Sequence, residues 1–237
     1  MISAGILTYS SSPTIPAIGD FECTEPLSFE MWVYPTAGKT NEDIISKFTY
    51  ARGYRFVSHG SRGKVNSLEF GLYSAVNNWM IALIPGPLNL AINTWQHYVV
   101  TYNGSSLASG VKIYVNGVSK ALTVASNTLT DTIRNTEKLK IGTGYYPWYA
   151  GRVDEVTIYN RVLPASEVTQ RYNAGTGTET LFGAAYLNYK FNELSGSIVS
   201  DSSGNGRTGQ TVDNPAWVTG KLNKSIQLNG SSQYVYV

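Results

Sequence analysis

The 237 residues suffice for one large all-β domain or two small ones, which excludes a mini-protein held together by disulfides or metal alone. Eighteen Lys and Arg against sixteen Asp and Glu leave a formal charge of +2 with no basic run, so nucleic-acid binding by counterion release has little to work with. Charged residues are only 14%, and the single cysteine, Cys23, rules out an intrachain disulfide.

Met1-Ile2-Ser3 opens without a basic segment or a long apolar run, so neither a secretory signal nor membrane insertion is expected. Runs rich in β-branched and aromatic residues then recur between Gly, Pro, Asn and Ser, at 27–33, 44–48, 54–58, 68–73, 79–83, 95–102, 111–115, 138–141 and 152–159. This spacing predicts an all-β fold, a two-sheet antiparallel sandwich. Within 28–34 strict alternation places Phe29, Met31 and Val33 on a core face, and Ser28, Glu30, Trp32 and Tyr34 on a polar, aromatic surface. Arg52, Arg55 and Arg62 read as the solvated face of a hairpin, and Asn116-Gly117 as a hairpin turn. One helix is expected, from Pro164 to Tyr172, because proline opens it without losing an amide bond and Gly175 follows its end. Residues 176–185 read as a linker between a main unit, 1–175, and a tail, 186–237.

Leu27-Ser28-Phe29-Glu30-Met31-Trp32-Val33, the run from Trp95 to Gly104, Val111-Lys112-Ile113-Tyr114-Val115-Asn116-Gly117, Leu139-Lys140-Ile141-Gly142 and the run from Gly151 to Leu163 stand in a recognisable order. Together they resemble the laminin-G-like and pentraxin-like jelly rolls of the concanavalin A-like lectin/glucanase superfamily. The resemblance implies two curved sheets packed face to face, with the last strand followed by the short helix. Tyr189-Lys190-Phe191-Asn192-Glu193, the loop from Asp201 to Gly206 and Ser225-Ile226-Gln227-Leu228-Asn229-Gly230 resemble the start of the same template, yet follow the helix. Either the jelly roll is circularly permuted, with the tail packed on the main unit, or the tail begins a tandem copy, as the echo of 226–232 in 6–12 would have it. Fifty-two residues without a disulfide bury too little surface alone, which favours the first arrangement.

For a laminarinase-like glucanase the resemblance would demand a Glu-x-Asp-x-x-Glu stretch on one strand, and this chain has none. Asp154 and Glu155 are neighbours on an expected strand, which would send them to opposite faces. His59, His97 and Cys23 lack nucleophile or base partners in sequence, so no enzyme is expected and a glycan hydrolase ranks third. The resemblance implies a structural calcium, with Asp154 as side-chain ligand and Asn192, Glu193 and Asp201 as partners; calcium takes oxygen donors of this kind. Tyr145-Tyr146-Pro147-Trp148-Tyr149 puts four aromatics into five residues of a loop, so Tyr145, Tyr146, Trp148 and Tyr149, with Trp79, are the candidate ligand-binding residues for stacking on sugar rings. The leading expectation is a non-catalytic lectin-like module that binds a carbohydrate or glycosylated surface, placed extracellularly, on a cell surface or on a virion. The alternative is a structural or adhesion subunit, such as a phage virion decoration or tail-associated protein, contacting other protein subunits by strand exchange.

Overall fold

The alternation through 28–34 sets the first strand of the computed structural model, which describes residues 17–37, 41–58, 67–86, 91–145 and 148–237. In Leu27–Pro35 (β1), Phe29, Met31 and Val33 turn into the apolar interior, as period-two geometry requires. Strands follow at Glu42–Phe48 (β2), Gly53–Ser58 (β3), Leu68–Ala75 (β4), Asn78–Leu83 (β5), Gln96–Tyr102 (β6), Val111–Val115 (β7), Val118–Ser119 (β8), Thr123–Asn127 (β9), Lys140–Ile141 (β10) and Ala150–Tyr159 (β11). The helix Ala165–Tyr172 (α1) comes next; Pro164 precedes it and Asn173, at φ 48°, ends it in the left-handed region. Leu187–Tyr189 (β12), Ile198–Val199 (β13), Gly209–Val212 (β14), Ala216–Thr219 (β15), Lys224–Asn229 (β16) and Tyr234–Tyr236 (β17) complete the chain. Among the described residues no helix is long and apolar enough to cross a membrane.

The strands form two antiparallel sheets. The first runs β15-β16-β11-β1-β6-β7-β8, with β12 also on β11; the second runs β13-β14-β17-β10-β2-β3-β4-β5-β9. The tail thus supplies strands to both sheets, β12 and β16 beside β11 and β17 beside β10. One apolar cluster fills the space between the sheets, and Leu187, Phe191, Ile226, Leu228 and Val235 from the tail join Phe29, Ile45, Phe56, Leu72 and Val100 in it.

The outer face of the first sheet is not the open surface that its alternation predicts. Helix α1 and the segment before it lie over it, packing Val168 of the helix and Leu163 on Val99, Tyr114 and Tyr159, so Glu30 and Trp32 are only 1% and 3% exposed. Glu30 is held there by Arg171 Nε, 2.8 and 2.9 Å from its two oxygens, by the Tyr159 hydroxyl at 3.0 Å and by His97 Nε2 at 3.0 Å. Burial opposes the Glu30 charge, yet the hydrogen bond from His97 and the charge of Arg171 outweigh it and hold the carboxyl below its usual range. Arg171 Nη1 also donates to the Thr180 carbonyl, which fastens the expected linker to the same layer.

Strand β11 departs from strict alternation. Its register against β1 shifts between Glu30 and Trp32, and Glu155 sits at φ 50°, the signature of a β-bulge. Val153 and Val156 both reach the core, so Asp154 and Glu155 both face outward, rather than to opposite faces. The bulge also falls where β11 changes partner: β16 pairs with residues 150–153 and β12 with 156–158.

Candidate functional site

The best-formed aromatic surface lies on the outer face of the second sheet and is built by lateral register. Phe48 of β2, Gly53 of β3, Tyr73 of β4 and Trp79 of β5 stand opposite one another in turn. Strand spacing of about 4.8 Å carries this row across about 14 Å. Phe48 and Tyr73 meet edge to face at 4.9 Å, and Tyr73 and Trp79 at 5.9 Å. Gly53, at φ 124°, leaves no room for a side chain, since a Cβ would lie 1.9 Å from the Lys47 carbonyl. Beyond Phe48 the row continues over two loops. Tyr145, between β10 and β11, meets Phe48 at 5.8 Å, and Tyr50, in the β2–β3 turn, meets Tyr145 at 5.8 Å.

The Tyr50 and Tyr145 end of this strip is open to solvent, Trp79 at the other end is half-buried, and the middle is seated. Tyr50 is 75% and Tyr145 51% exposed, whereas Tyr73 is 6% exposed. Arg55 lies over Phe48 at 5.3 Å and is itself buried, its Nη2 2.6 Å from Asp43 Oδ1, so it is an anchor of the strip and not part of a solvated face. A shallow trough of about 670 Å³ adjoins the strip, lined by Thr49, Arg52, Ser74, Val76 and Asn135. Polar groups beside aromatic rings are what a hydroxylated, flat-faced ligand requires.

Of the candidate ligand residues, Tyr145 and Trp79 belong to this strip, near opposite ends. Trp148 does not: it packs edge to face on Tyr234 at 5.2 Å, on the far side of β10, where Lys138 covers Tyr236. Tyr149 is corrected outright, because it is fully buried within the apolar cluster. Tyr146 lies outside the described residues, as do His59, Arg62 and the segment 6–12. Sequence reasoning misses Phe48, Tyr50 and Tyr73; the one local signal is Tyr50, an aromatic set beside the Ala51-Arg52-Gly53 turn.

The calcium set is only partly gathered. Asp201 closes its own loop, accepting from the Asn188, Ser203 and Arg207 amides and the Ser203 hydroxyl. Glu193 Oε1 accepts from the Ser200 amide, and Asn192 bridges Glu179 to the Lys224 amide. Asp154 accepts from the amides of Glu155, Lys221 and Leu222, which pins the turn before β16. Among the described residues no group of three or more His, Cys, Asp or Glu side chains is placed to hold a metal ion. Asp154 is the member of the set at the bulge, where its neighbour is Glu155, an acid outside the expected set. Glu155 is 1% exposed, and among the described residues neither of its carboxylate oxygens has a hydrogen-bond partner. Burial, then the neighbouring Asp154 and Glu179 charges, push it up to about 8, and burial lifts Asp154 to about 7. Asp154 is as deeply buried, at 0% exposure.

Residues 7–169 match the family model Laminin_G_3, described as the concanavalin A-like lectin/glucanases superfamily. A solved structure of a putative carbohydrate binding protein from Bacteroides ovatus is similar at a TM-score of 0.55 and 18% identity, over 88% of this chain and 55% of that one. The chain therefore spans little more than half of that protein. Domain 4 of AbnA, an extracellular arabinanase from Geobacillus stearothermophilus solved with arabinotriose, is similar at a TM-score of 0.48 and 21% identity, over 66% of this chain and 69% of that one. No curated protein matches the chain in sequence.

Proposed function

The chain belongs to the concanavalin A-like lectin/glucanases superfamily, and from that premise we propose that it is a non-catalytic module that binds a neutral oligosaccharide along the strip from Tyr50 to Trp79. The observation that carries this reading is the row itself: three aromatic rings in sequence across one sheet face and two more on the adjoining loops, Tyr50 and Tyr145, which are exposed. Five rings with successive centroids 4.9 to 5.9 Å apart suit several consecutive sugar units of a chain better than one terminal sugar. Sugar rings would lie on the exposed aromatic faces, with hydroxyls bonded by Thr49 and Arg52 in the adjoining trough. A glycan array run with the intact chain and with a Tyr50→Ala/Tyr145→Ala variant tests it. Hits that disappear in a variant with unchanged melting support the reading; hits that persist, or a blank array with a folded protein, overturn it and direct attention to protein contacts.

Calcium forms a separate element of the reading, at the β11 bulge. A divalent cation beside Glu155 and Asp154 would supply the countercharge that the orphaned Glu155 oxygens lack, and would be structural, steadying the junction of β11 with β12 and β16. Thermal melting in calcium and in chelator tests it: a higher melting point in calcium that Glu155→Gln abolishes is the supporting result, and identical melting curves the opposing one.

A further inference from the structure

A second cavity, of about 450 Å³, opens where the main unit and the tail meet, near the start of β1 and the end of β11. Its walls are apolar at Phe21 and Pro26, and Tyr186 stands against Phe21 with ring centroids 5.0 Å apart. Asp20, Glu25, Arg134, Asn160 and Arg207 supply the polar part of the lining, so the cavity, in the volume range of small-ligand sites, suits a polar ligand held against an apolar wall.

The charges in this cavity are unequally satisfied. Asp20 accepts from the Asn135 amide at 3.1 Å and lies 3.7 Å from Lys47 Nζ. Glu25 accepts from the Glu22 amide at 2.7 Å and from Arg134 Nη2 at 3.2 Å. Both acids are therefore occupied within the protein, and Arg134 is paired. Arg207 is the exception. Its guanidinium lies over the Tyr186 ring at 3.9 Å and Nη1 donates to the Tyr186 carbonyl at 2.9 Å, while among the described residues no carboxylate lies within ion-pair distance of it. Stacking on the ring and the Nη1 bond fix the plane of the fork and leave Nε and Nη2 without a protein acceptor among the described residues. The Asn160 amide, exposed on the rim, is likewise unbonded there. A planar, immobilised guanidinium with one open edge is a receptor for a carboxylate.

We propose that this cavity is a second binding site, for a carboxylate-bearing sugar of the uronic acid class. The carboxylate takes the open edge of Arg207, and Asn160 and Arg134 bond the ring hydroxyls. The choice of an acid rests on Arg207 alone; the choice of a sugar rests on the carbohydrate reading above. Because Tyr186 and Arg207 come from the tail and the remaining walls from the main unit, the site exists only when the two are packed together.

The test is calorimetric titration of the intact chain with trimers of galacturonate, glucuronate and mannuronate, each beside its carboxyl-reduced neutral counterpart. At least one acid trimer is expected to bind at least tenfold more tightly than its reduced form, and to weaken as sodium chloride is raised. Arg207→Gln should lose that tenfold, and Arg207→Lys, which keeps the charge without the fork, should fall between. Both variants keep the Arg207 backbone bond to Asp201, and an unchanged melting point verifies their fold. The Tyr50→Ala/Tyr145→Ala variant should retain acid binding, so a failure of the strip and a failure of this cavity are told apart. Equal affinity for acid and reduced trimers, unchanged binding by Arg207→Gln, or no binding by any acid trimer overturns the proposal.

Discussion

Removing residues 186–237 should unfold the remainder. The tail places Leu187, Tyr189, Phe191, Val199, Ile226, Leu228 and Val235 in the core, each at 0% exposure. At about 1.5 to 3 kcal/mol for each buried large apolar side chain, these seven contribute about 10 to 20 kcal/mol. That matches or exceeds the whole stability of a typical domain, about 5 to 15 kcal/mol. The loss would also bare the edge of β11 that β12 and β16 cover, and the edge of β10 that β17 covers, and exposed edges promote aggregation. The fragment 1–185 should show no cooperative melt by circular dichroism and no dispersed amide spectrum, and adding the 186–237 peptide in trans should restore both. A soluble fragment that melts cooperatively near the temperature of the intact chain would refute the reasoning.

The bulge carboxylates set the pH response. Glu155 and Asp154 titrate near 8 and 7 in the folded chain, above their unfolded values, so without added cation stability should fall between about pH 4 and pH 8 as the folded state resists losing these protons. Each pH unit between the folded and unfolded titration points is worth about 1.4 kcal/mol, which makes the loss on the order of 4 kcal/mol for either carboxyl alone; melting points across that range check it, and a flat profile contradicts it. Glu30 acts with the opposite sign, its lowered carboxyl adding stability that is lost on acidification through its folded titration range. Arg171→Met should cost about 3 to 5 kcal/mol in denaturant unfolding by leaving Glu30 buried with too few partners, and Glu30→Gln added to it should recover part of that loss. A loss below about 1 kcal/mol would mean that His97 and Tyr159 suffice. Glu155→Gln should raise the melting point at pH 8 in chelator, since it removes an unpaired buried charge; a lower one would show that the carboxylate has a partner there.

Strand positions are legible in the sequence because β-branched and aromatic runs between turn residues mark them locally. The Asn116-Gly117 turn is legible for the same reason: both residues adopt positive φ, 52° and 76°. What is not legible depends on partners far along the chain. Whether Glu155 follows the alternation of β11 or breaks it is decided by the register against β1, about 120 residues earlier, and no local pattern carries that. Glu30 and Trp32 read as a surface because nothing in their own strand announces that α1 will cover them. The strip escapes for a related reason. Its rings come from β2, the β2–β3 turn, β4, β5 and the loop after β10, and only lateral pairing aligns them. Tyr149, by contrast, groups with its sequence neighbours in a loop, although it stands directly before Ala150, where β11 begins, and its ring goes to the core.

The central claim, a carbohydrate site along the Tyr50 to Trp79 strip, is tested most directly by calorimetric titration of the neutral oligosaccharide that scores highest on the array. Loss of two stacking rings at about 0.5 to 1.5 kcal/mol each predicts an affinity about 5- to 150-fold weaker for Tyr50→Ala/Tyr145→Ala, with the melting point unchanged. The same affinity in the variant as in the unaltered chain would contradict the account and place the binding elsewhere on the molecule.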